Sequence, residues 1–213
     1  MEGIPDGETM KARVKALDSY KNASGYLVSE AFTTNAYVPD PSAKLPVADL
    51  FDIRFNEDGT ATDVSSRNIT VRSGDERPAT YFNESYNRQT ATFSGSRDCF
   101  YRVNYADDQA IKSAFANGFT FESFYKPNDT GNVCPMSAQE SGGAGIEQAS
   151  GGLIQFYCHV GGSYKVLKTS VTAKEGTFYH VVVSYDKSAG KIYAFVNGRP
   201  AGELEAGGSF GMP

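Results

Sequence analysis

Two short stretches of this chain contain residue types that could catalyse hydrolysis. Glu203 and Glu205 alternate, and alternate positions on a strand face the same side, as the paired carboxylates of a glycoside hydrolase require. The sequence "GGSFG" sets Ser209 in a Gly-x-Ser-x-Gly pattern, but no histidine lies downstream of it to complete a triad. We interpret the two glutamates as solvated residues of an edge strand and predict that the chain has no catalytic residues and is not an enzyme.

The two histidines and three cysteines do not have the spacing of a metal site. His159 follows Cys158 directly, but a Cys/His site would need further ligands from other strands, and no Cys-x-x-Cys pair occurs. We therefore predict no metal site at these residues. His180 lies within an apolar strand, where we expect it to have a structural hydrogen-bonding role.

Cys134 and Cys158 raise the question of a disulfide. A hairpin turn centred near residue 146, inside "SGGAGIEQ", would bring the two cysteines opposite each other. A disulfide in an oxidising compartment and two buried free thiols are both open interpretations.

Aromatic and polar side chains suggest one ligand-binding site. Sugar-binding surfaces combine an exposed aromatic ring with hydrogen-bonding neighbours, and the best candidates are Tyr157, His159 and Tyr164. We place them near the loop "KPNDTGN", which adds Asp129 and Asn132. The chain has no Trp, and packing between neighbouring strands is the competing explanation for an outward tyrosine.

Composition excludes two classes of partner. The 213 residues carry a net charge of -5, whereas nucleic-acid binding needs a clustered basic face. No apolar run is long enough to span a membrane. The start "MEGIPDGETMK" is polar, whereas a secretory signal needs an apolar stretch, so we expect no signal peptide in this chain; a cytosolic protein and a removed signal are both open interpretations.

From residue 49 onward the apolar residues recur with a period of two, which predicts many short strands separated by turns and hence a β-sandwich or barrel. In "LIQFYCHV" the alternation assigns Ile154, Phe156, Cys158 and Val160 to the core, and Gln155, Tyr157 and His159 to the outer face. Asn197-Gly198 predicts a type I′ turn between strands.

Two segments depart from the strand pattern. Residues 6–22 carry Met10, Val14 and Leu17 on one helical face, which predicts a short helix at most, and residues 23–47 are typical of an extended linker. Within residues 106–118, an N-cap at Asp107 or Asp108 and a terminating glycine predict a second short helix. We expect an N-terminal segment over 1–47 and a domain over 48–213.

The stretches "FTFESFYKP" and "GTFYHVVVSYDKSAGKIYAFVNG" resemble the laminin-G-like domain, a concanavalin A-like lectin/glucanase jelly roll, over roughly residues 48–210. The matching positions are Phe119, Thr120, Glu122, His180, Val181, Tyr185, Asp186, Tyr193, Val196, Asn197 and Gly198. The resemblance implies an all-β antiparallel jelly roll that lacks the family's final strand. Phe124 and Phe178 stand where the family often has Trp, and we expect both to be core substitutes.

The resemblance also implies a function. Such domains are often appended to secreted bacterial enzymes, so we expect a non-catalytic binding or accessory module that recognises a glycan or a protein surface. The alternative is a structural domain that packs on a downstream catalytic domain, such as a phosphoesterase or a glycosidase. Either implies a secreted, periplasmic or cell-surface location.

Calcium is the one cofactor left open. The stretch "NEDGTATD" (56–63) fails as an EF-hand, because Arg54 and Ser65 occupy positions where carboxylates are required. Related jelly rolls bind calcium through loop carboxylates and carbonyls; a polar turn is the other interpretation.

Overall fold

The computed structural model describes residues 48–84, 86–104, 108–138 and 141–212, and the backbone of four residue pairs nearer the N terminus. The chain divides into two units, at Met1–Val47 and Ala48–Pro213. The four pairs in the first unit are two-residue antiparallel strands: β1 (Thr9–Met10) pairs with β4 (Phe32–Thr33), and β2 (Arg13–Val14) pairs with β3 (Leu27–Val28).

These pairs correct the helix predicted for residues 6–22. Met10 and Val14 lie in strands, so at the described positions the segment is extended rather than helical. A helical face was inferred from three apolar residues with helical spacing, and so short a periodicity does not distinguish a helix from paired strands. Leu17 lies outside the described residues.

The second unit begins with six short strands and one helix. These elements are β5 (Ile53–Phe55), β6 (Ala61–Asp63), β7 (Val71–Ser73), β8 (Ala79–Asn83), β9 (Arg88–Thr92), β10 (Tyr101–Val103) and α1 (Gln109–Asn117). The strands form three antiparallel pairs: β5 with β6, β7 with β10, and β8 with β9.

Two four-stranded antiparallel sheets then form a sandwich. Their strands are β11 (Gly118–Tyr125), β12 (Val133–Ala138), β13 (Ala144–Gln148), β14 (Leu153–Val160), β15 (Ser163–Thr172), β16 (Tyr179–Asp186), β17 (Lys191–Val196) and β18 (Arg199–Glu205). The first sheet has the order β11-β16-β17-β18, and the second has the order β12-β13-β14-β15. The predicted all-β antiparallel architecture is confirmed.

The core lies between the inner faces of the two sheets. On β14 the predicted core residues Ile154, Phe156, Cys158 and Val160 are fully buried, which confirms the alternation. Phe119, Phe121 and Phe156 approach one another with ring centroids 4.9–6.4 Å apart. Gln155 faces outward as predicted but is nevertheless buried. Its amide nitrogen donates hydrogen bonds to the side chains of its neighbours Tyr157 and Glu147.

Helix α1 closes one side of this core. Asp108 is its N-cap, with Oδ1 accepting hydrogen bonds from the Ala110 and Ile111 amides, and Gly118 ends it, as predicted. Ile111 and Phe115, one turn apart, point into the core. Among the described residues this nine-residue helix is the only one, and it is too short to cross a membrane.

The turn between β17 and β18 also agrees with the prediction. Asn197 and Gly198 have φ angles of 51° and 73°, the two positive values that a type I′ turn requires. Asn197 Oδ1 accepts the His180 amide at 2.9 Å, which fixes this turn beside β16.

Residues 209–212 lie along the end of the second sheet. Phe210 forms a β-bridge with Val160, and the Gly211 amide donates to the His159 carbonyl at 2.9 Å. The Phe210 ring packs 5.0 Å from that of Phe119. This segment therefore helps to close the core beside α1.

Candidate functional site

The structure brings three of the five predicted site residues together. Tyr157 and His159 on β14 and Tyr164 on β15 share the outer face of the second sheet, and His159 pairs directly with Tyr164. The Tyr164 ring is 5.0 Å from the His159 ring and 6.4 Å from the Tyr157 ring, edge-on to both. Tyr164 is the most exposed of the three, at 40%.

Their contacts, however, serve the packing of nearby backbone. The Tyr164 hydroxyl donates to the Gly142 carbonyl at 2.7 Å and accepts from the Gly142 amide at 3.0 Å. Gly211 lies directly against the His159 ring, so that any side chain at position 211 would clash with His159 Nδ1. Nδ1 itself is buried and has no hydrogen-bond partner among the described residues. Tyr164 and His159 thus hold residues 142 and 209–212 against the sheet.

Replacing Tyr164 with Phe tests this packing role. We expect the free energy of unfolding to fall by about 1 kcal/mol, because two hydrogen bonds to Gly142 are lost while the ring remains. Urea unfolding measures the change. Tyr193→Phe is the matched control, because its hydroxyl makes no hydrogen bond to a described residue; equal stability of the two variants would contradict the role.

Asp129 and Asn132 lie at the other end of the second sheet. The amide nitrogen of buried Gln148 donates to the carbonyls of Asp129 (3.2 Å) and Gly131 (2.9 Å), and Gln148 pairs with Ile154 at the far end of β14 from His159. At about 3.3 Å per residue of strand, Ile154 is about 10 Å from Tyr157 and about 16 Å from His159, the partner of Tyr164. The predicted proximity of this loop to the tyrosines is therefore wrong, since the loop instead caps the end of the sandwich.

A larger group of outward aromatic rings lies on the first sheet. Alternation along β11 turns Phe119 and Phe121 into the core and Glu122 and Phe124 outward. The turn between β8 and β9 approaches the same end of this sheet. We call the resulting surface the aromatic–basic face; its residues are Tyr86, Arg88, Phe124, Lys126, Phe178 and His180.

Phe124 is the centre of this face. Its ring is stacked on the His180 imidazole, with centroids 4.2 Å apart and planes 8° apart, and the Arg88 guanidinium carbon is 5.6 Å from its centroid. His180 Nε2 is 2.8 Å from Glu122 Oε1, which orients the imidazole. The hydrogen-bonding role predicted for His180 is confirmed, but it serves an outer surface, where Phe124 remains 50% exposed.

A second pair of a cation and an aromatic ring on this face consists of Lys126 and Phe178. The Lys126 ammonium nitrogen lies 5.1 Å from the centroid of Phe178, whose ring contacts that of Tyr86 edge-on at 4.8 Å. Tyr86 is 42% exposed. Each cation is thus held near an aromatic ring by a cation–π contact.

The expected roles of Phe124 and Phe178 as core substitutes are wrong. Phe124 points away from the core and Phe178 is only partly buried. The alternation that assigns Phe119 and Phe121 inward already turns Phe124 outward, so the sequence carried a signal for one member of this face. The contributions of Tyr86 and Arg88 depend on how the β8–β9 turn approaches the sheet, which no local pattern encodes.

The glutamates considered for catalysis form an ion-pair cluster. Glu203 and Glu205 are exposed on the edge strand β18, and each has Oε1 3.2 Å from Lys191 Nζ. The hydrogen bond to Glu205, followed in size of effect by the one to Glu203, raises the pKa of Lys191 above its usual value. Ser209 lies in an extended segment, where its carbonyl accepts the Gly161 amide, rather than at a strand-to-helix turn.

The proposed hairpin between Cys134 and Cys158 is also wrong. Residues 144–148 form strand β13, which lies between β12 with Cys134 and β14 with Cys158. Both cysteines are free; Cys134 is exposed, and burial raises the pKa of the Cys158 thiol to about 12. The glycines near residue 146 predict a turn there, whereas Gly145 belongs to strand β13 and Gly142 and Gly143 come just before it.

Two of the three carboxylates of the stretch 56–63, those of Asp58 and Asp63, are engaged within the protein. Asp58 accepts hydrogen bonds from the amide and hydroxyl of Thr60, and Asp63 accepts the amides of Asp52, Ser65 and Ile69. Across the part of the chain that the structure describes, no three His, Cys, Asp or Glu side chains converge as metal ligands. Calcium binding through carbonyls and carboxylates stays a prediction.

The two packed antiparallel sheets identify this unit as a β-sandwich domain. A family model described as concanavalin A-like lectin/glucanases superfamily (Laminin_G_3) matches residues 102–211, just over half of the chain. The chain belongs to this superfamily, which confirms the concanavalin A-like fold inferred from sequence.

Solved structures with a similar fold include two toxin binding domains. The binding domain of Paraclostridial Mosquitocidal Protein 1 aligns with a TM-score of 0.61 at 11% identity, over 76% of this chain and 42% of that one. The botulinum neurotoxin serotype C1 binding domain aligns with a TM-score of 0.48 at 14% identity, over 72% of this chain and 38% of that one. The chain thus spans about two fifths of the length of either. A search of curated proteins found no significant match.

Proposed function

We propose that this chain is a non-catalytic module that binds a glycan through the aromatic–basic face. The observation that carries the proposal is the half-exposed Phe124 ring, held by His180 and flanked by the hydrogen-bonding groups of Glu122 and Arg88. An exposed ring offers apolar contact to the face of a sugar, and the neighbouring polar groups suit its hydroxyls. The similar fold of the binding domain of Paraclostridial Mosquitocidal Protein 1 is compatible with such a role.

The side chains at the centre of the aromatic–basic face are already ordered before a ligand binds, which favours binding. Phe124 is fixed by its stack with His180, and the imidazole is fixed in turn by Glu122, so a ligand would not have to order these side chains. By contrast, the Tyr164 hydroxyl on the second sheet is committed to Gly142. The first sheet is therefore the better candidate surface.

Glycan-array binding of Phe124→Ala tests the proposal, with and without calcium. We expect at least a tenfold loss of affinity, because the central apolar contact is removed, corresponding to about 1.4 kcal/mol. Phe82→Ala is the matched control: Phe82 is 52% exposed and alternation turns it to the opposite face of the β8–β9 hairpin from Arg88.

Three outcomes would contradict the proposal. Unchanged binding in Phe124→Ala with loss in Tyr157→Ala would move the site to the second sheet. Equal losses in Phe124→Ala and Phe82→Ala would show that the effect is not local. Absence of glycan binding by the folded chain would favour recognition of a protein surface.

A second candidate function is contact with a neighbouring protein domain, such as a phosphoesterase or a glycosidase. It is favoured by Phe82, 52% exposed on the opposite face of the β8–β9 hairpin from Arg88, since an exposed aromatic side chain on a two-stranded hairpin suits a protein contact. Cross-linking at a cysteine introduced at position 82 of the longer protein, if one exists, would detect such a neighbour. For either function we propose a secreted, periplasmic or cell-surface location, which cell fractionation tests.

A further inference from the structure

We propose that the glycan bound by the aromatic–basic face is acidic, with carboxylate or sulfate groups that pair with Arg88 and Lys126. This inference rests on the proposed function and adds the charge of the ligand. It starts from two cations on the same face, each close to an outward aromatic ring: Arg88 near Phe124 and Lys126 near Phe178.

The first argument is that these cations are available. Neither Arg88 nor Lys126 has a carboxylate within ion-pair distance among the described residues, whereas Lys191, on the same sheet, is bound by two glutamates. Glu122, the acidic group beside Phe124, is hydrogen-bonded to His180 Nε2. The face therefore presents two unneutralised cations on a chain of net charge -5.

The second argument is geometric. Phe124 and His180 are neighbours across β11 and β16, and Lys126 and Phe178 lie two residues away along the same two chain segments, just beyond the last pair of the ladder. A guanidinium can bond a carboxylate or sulfate through two parallel N–H groups, and its contact with the ring limits its rotation. A sugar lying on Phe124 would bring an acidic substituent within reach of Arg88, and one lying beside Phe178 and Tyr86 would do the same for Lys126.

The third argument is the kind of partner that this combination suits. Exposed aromatic rings alone would serve a neutral sugar, and cations alone would attract any polyanion. Tyr86 and Phe124 remain 42% and 50% exposed on the same face as the two cations, so apolar and anionic contacts are offered side by side. An acidic polysaccharide supplies both, since its ring faces are apolar and its substituents are charged.

The test compares matched polysaccharides with the whole chain. Isothermal titration calorimetry would measure binding of dextran sulfate against dextran, and of polygalacturonate against its methyl ester. We expect the acidic member of at least one pair to bind at least tenfold more tightly. Arg88→Ala/Lys126→Ala should reduce that affinity about tenfold or more, since charge-assisted contacts are lost.

Two controls separate a site from general electrostatic attraction. Lys168→Ala/Lys174→Ala removes the same charge from two exposed lysines outside the aromatic–basic face and should leave the affinity unchanged. Arg88→Lys/Lys126→Arg retains both charges but moves the guanidinium, so it should bind more tightly than Arg88→Ala/Lys126→Ala and less tightly than the wild type. Thermal unfolding of each variant checks that it folds.

The possible failures are distinguishable from those of the proposed function. Equal binding of acidic and neutral members, lost in Phe124→Ala but kept in Arg88→Ala/Lys126→Ala, would overturn the acidic ligand and leave the glycan-binding module intact. Equal losses in the Arg88/Lys126 and Lys168/Lys174 variants would show nonspecific attraction and overturn the inference. Absence of binding to both acidic polysaccharides would overturn it as well.

Discussion

Replacing Phe156 with Ala should lower the free energy of unfolding by about 3–5 kcal/mol, the cost of removing a fully buried aromatic side chain. Phe156 is 0% exposed and lies at the centre of the sandwich, where its ring meets those of Phe119 and Phe121 from the opposite sheet. The cavity left by the substitution would be lined by groups from both sheets, whose backbones are fixed by their ladders. Denaturant unfolding followed by circular dichroism measures the loss.

The same substitution at an exposed position provides the control. Phe82 is 52% exposed, so Phe82→Ala should change the stability by no more than about 0.5 kcal/mol. Similar losses in both variants would mean that the two sheets do not enclose Phe156 as described.

Replacing Asp63 with Ala should cost about 3 kcal/mol near neutral pH. The buried Asp63 carboxylate accepts the amides of Asp52, Ser65 and Ile69, at 2.7–3.0 Å, and thereby joins the segments before β5 and after β6. Without the carboxylate, these donors lose their acceptor, at about 1–3 kcal/mol for each one left unsatisfied. Urea unfolding at pH 7 measures the loss, and Asp75→Ala, at an exposed aspartate, should have little effect.

The Asp63 contribution also predicts a pH dependence. Burial alone would raise the pKa of Asp63, but the hydrogen bonds from Asp52, Ile69 and Ser65 outweigh it and hold the pKa below its usual value. A lowered folded-state pKa gives stability that is present above the unfolded value, about 3.9, and is lost as the pH falls through the folded value. The stability difference between wild type and Asp63→Ala should therefore shrink below about pH 4; a constant difference down to acid unfolding would contradict it.

The sequence predicted the parts of this fold that depend on local patterns. Alternation along β14 identified its four core residues, and Asp108 and Gly118 identified the ends of α1, because burial and capping act on neighbouring positions. Strands β12 and β13 were missed because Pro135 and the glycines around Ala144 are poor strand formers. Their position is set by pairing with β14, which is a tertiary effect.

The candidate site was harder to predict than the fold. Tyr157 and Tyr164 were correctly placed on one face, but nothing local shows that the Tyr164 hydroxyl is used by Gly142, 22 residues away. The core position expected for Phe124 rested on its standing where the family often has Trp, although the alternation along its strand turns it outward. The contact of Arg88 with Phe124 joins segments distant in sequence, and only the folded chain reveals it.

The order of strands in the two sheets has a consequence for the kinetics of folding. The second sheet is a meander of four consecutive strands, so its ladders join residues close in sequence. The first sheet instead pairs β11 with β16 across that whole meander, and Thr120 meets Ser184 at a separation of 64 residues. Closing so large a loop has a higher entropic cost than forming hairpins. The meander is therefore able to form early, while the aromatic–basic face, which spans β11 and β16, is completed only when the long loop closes.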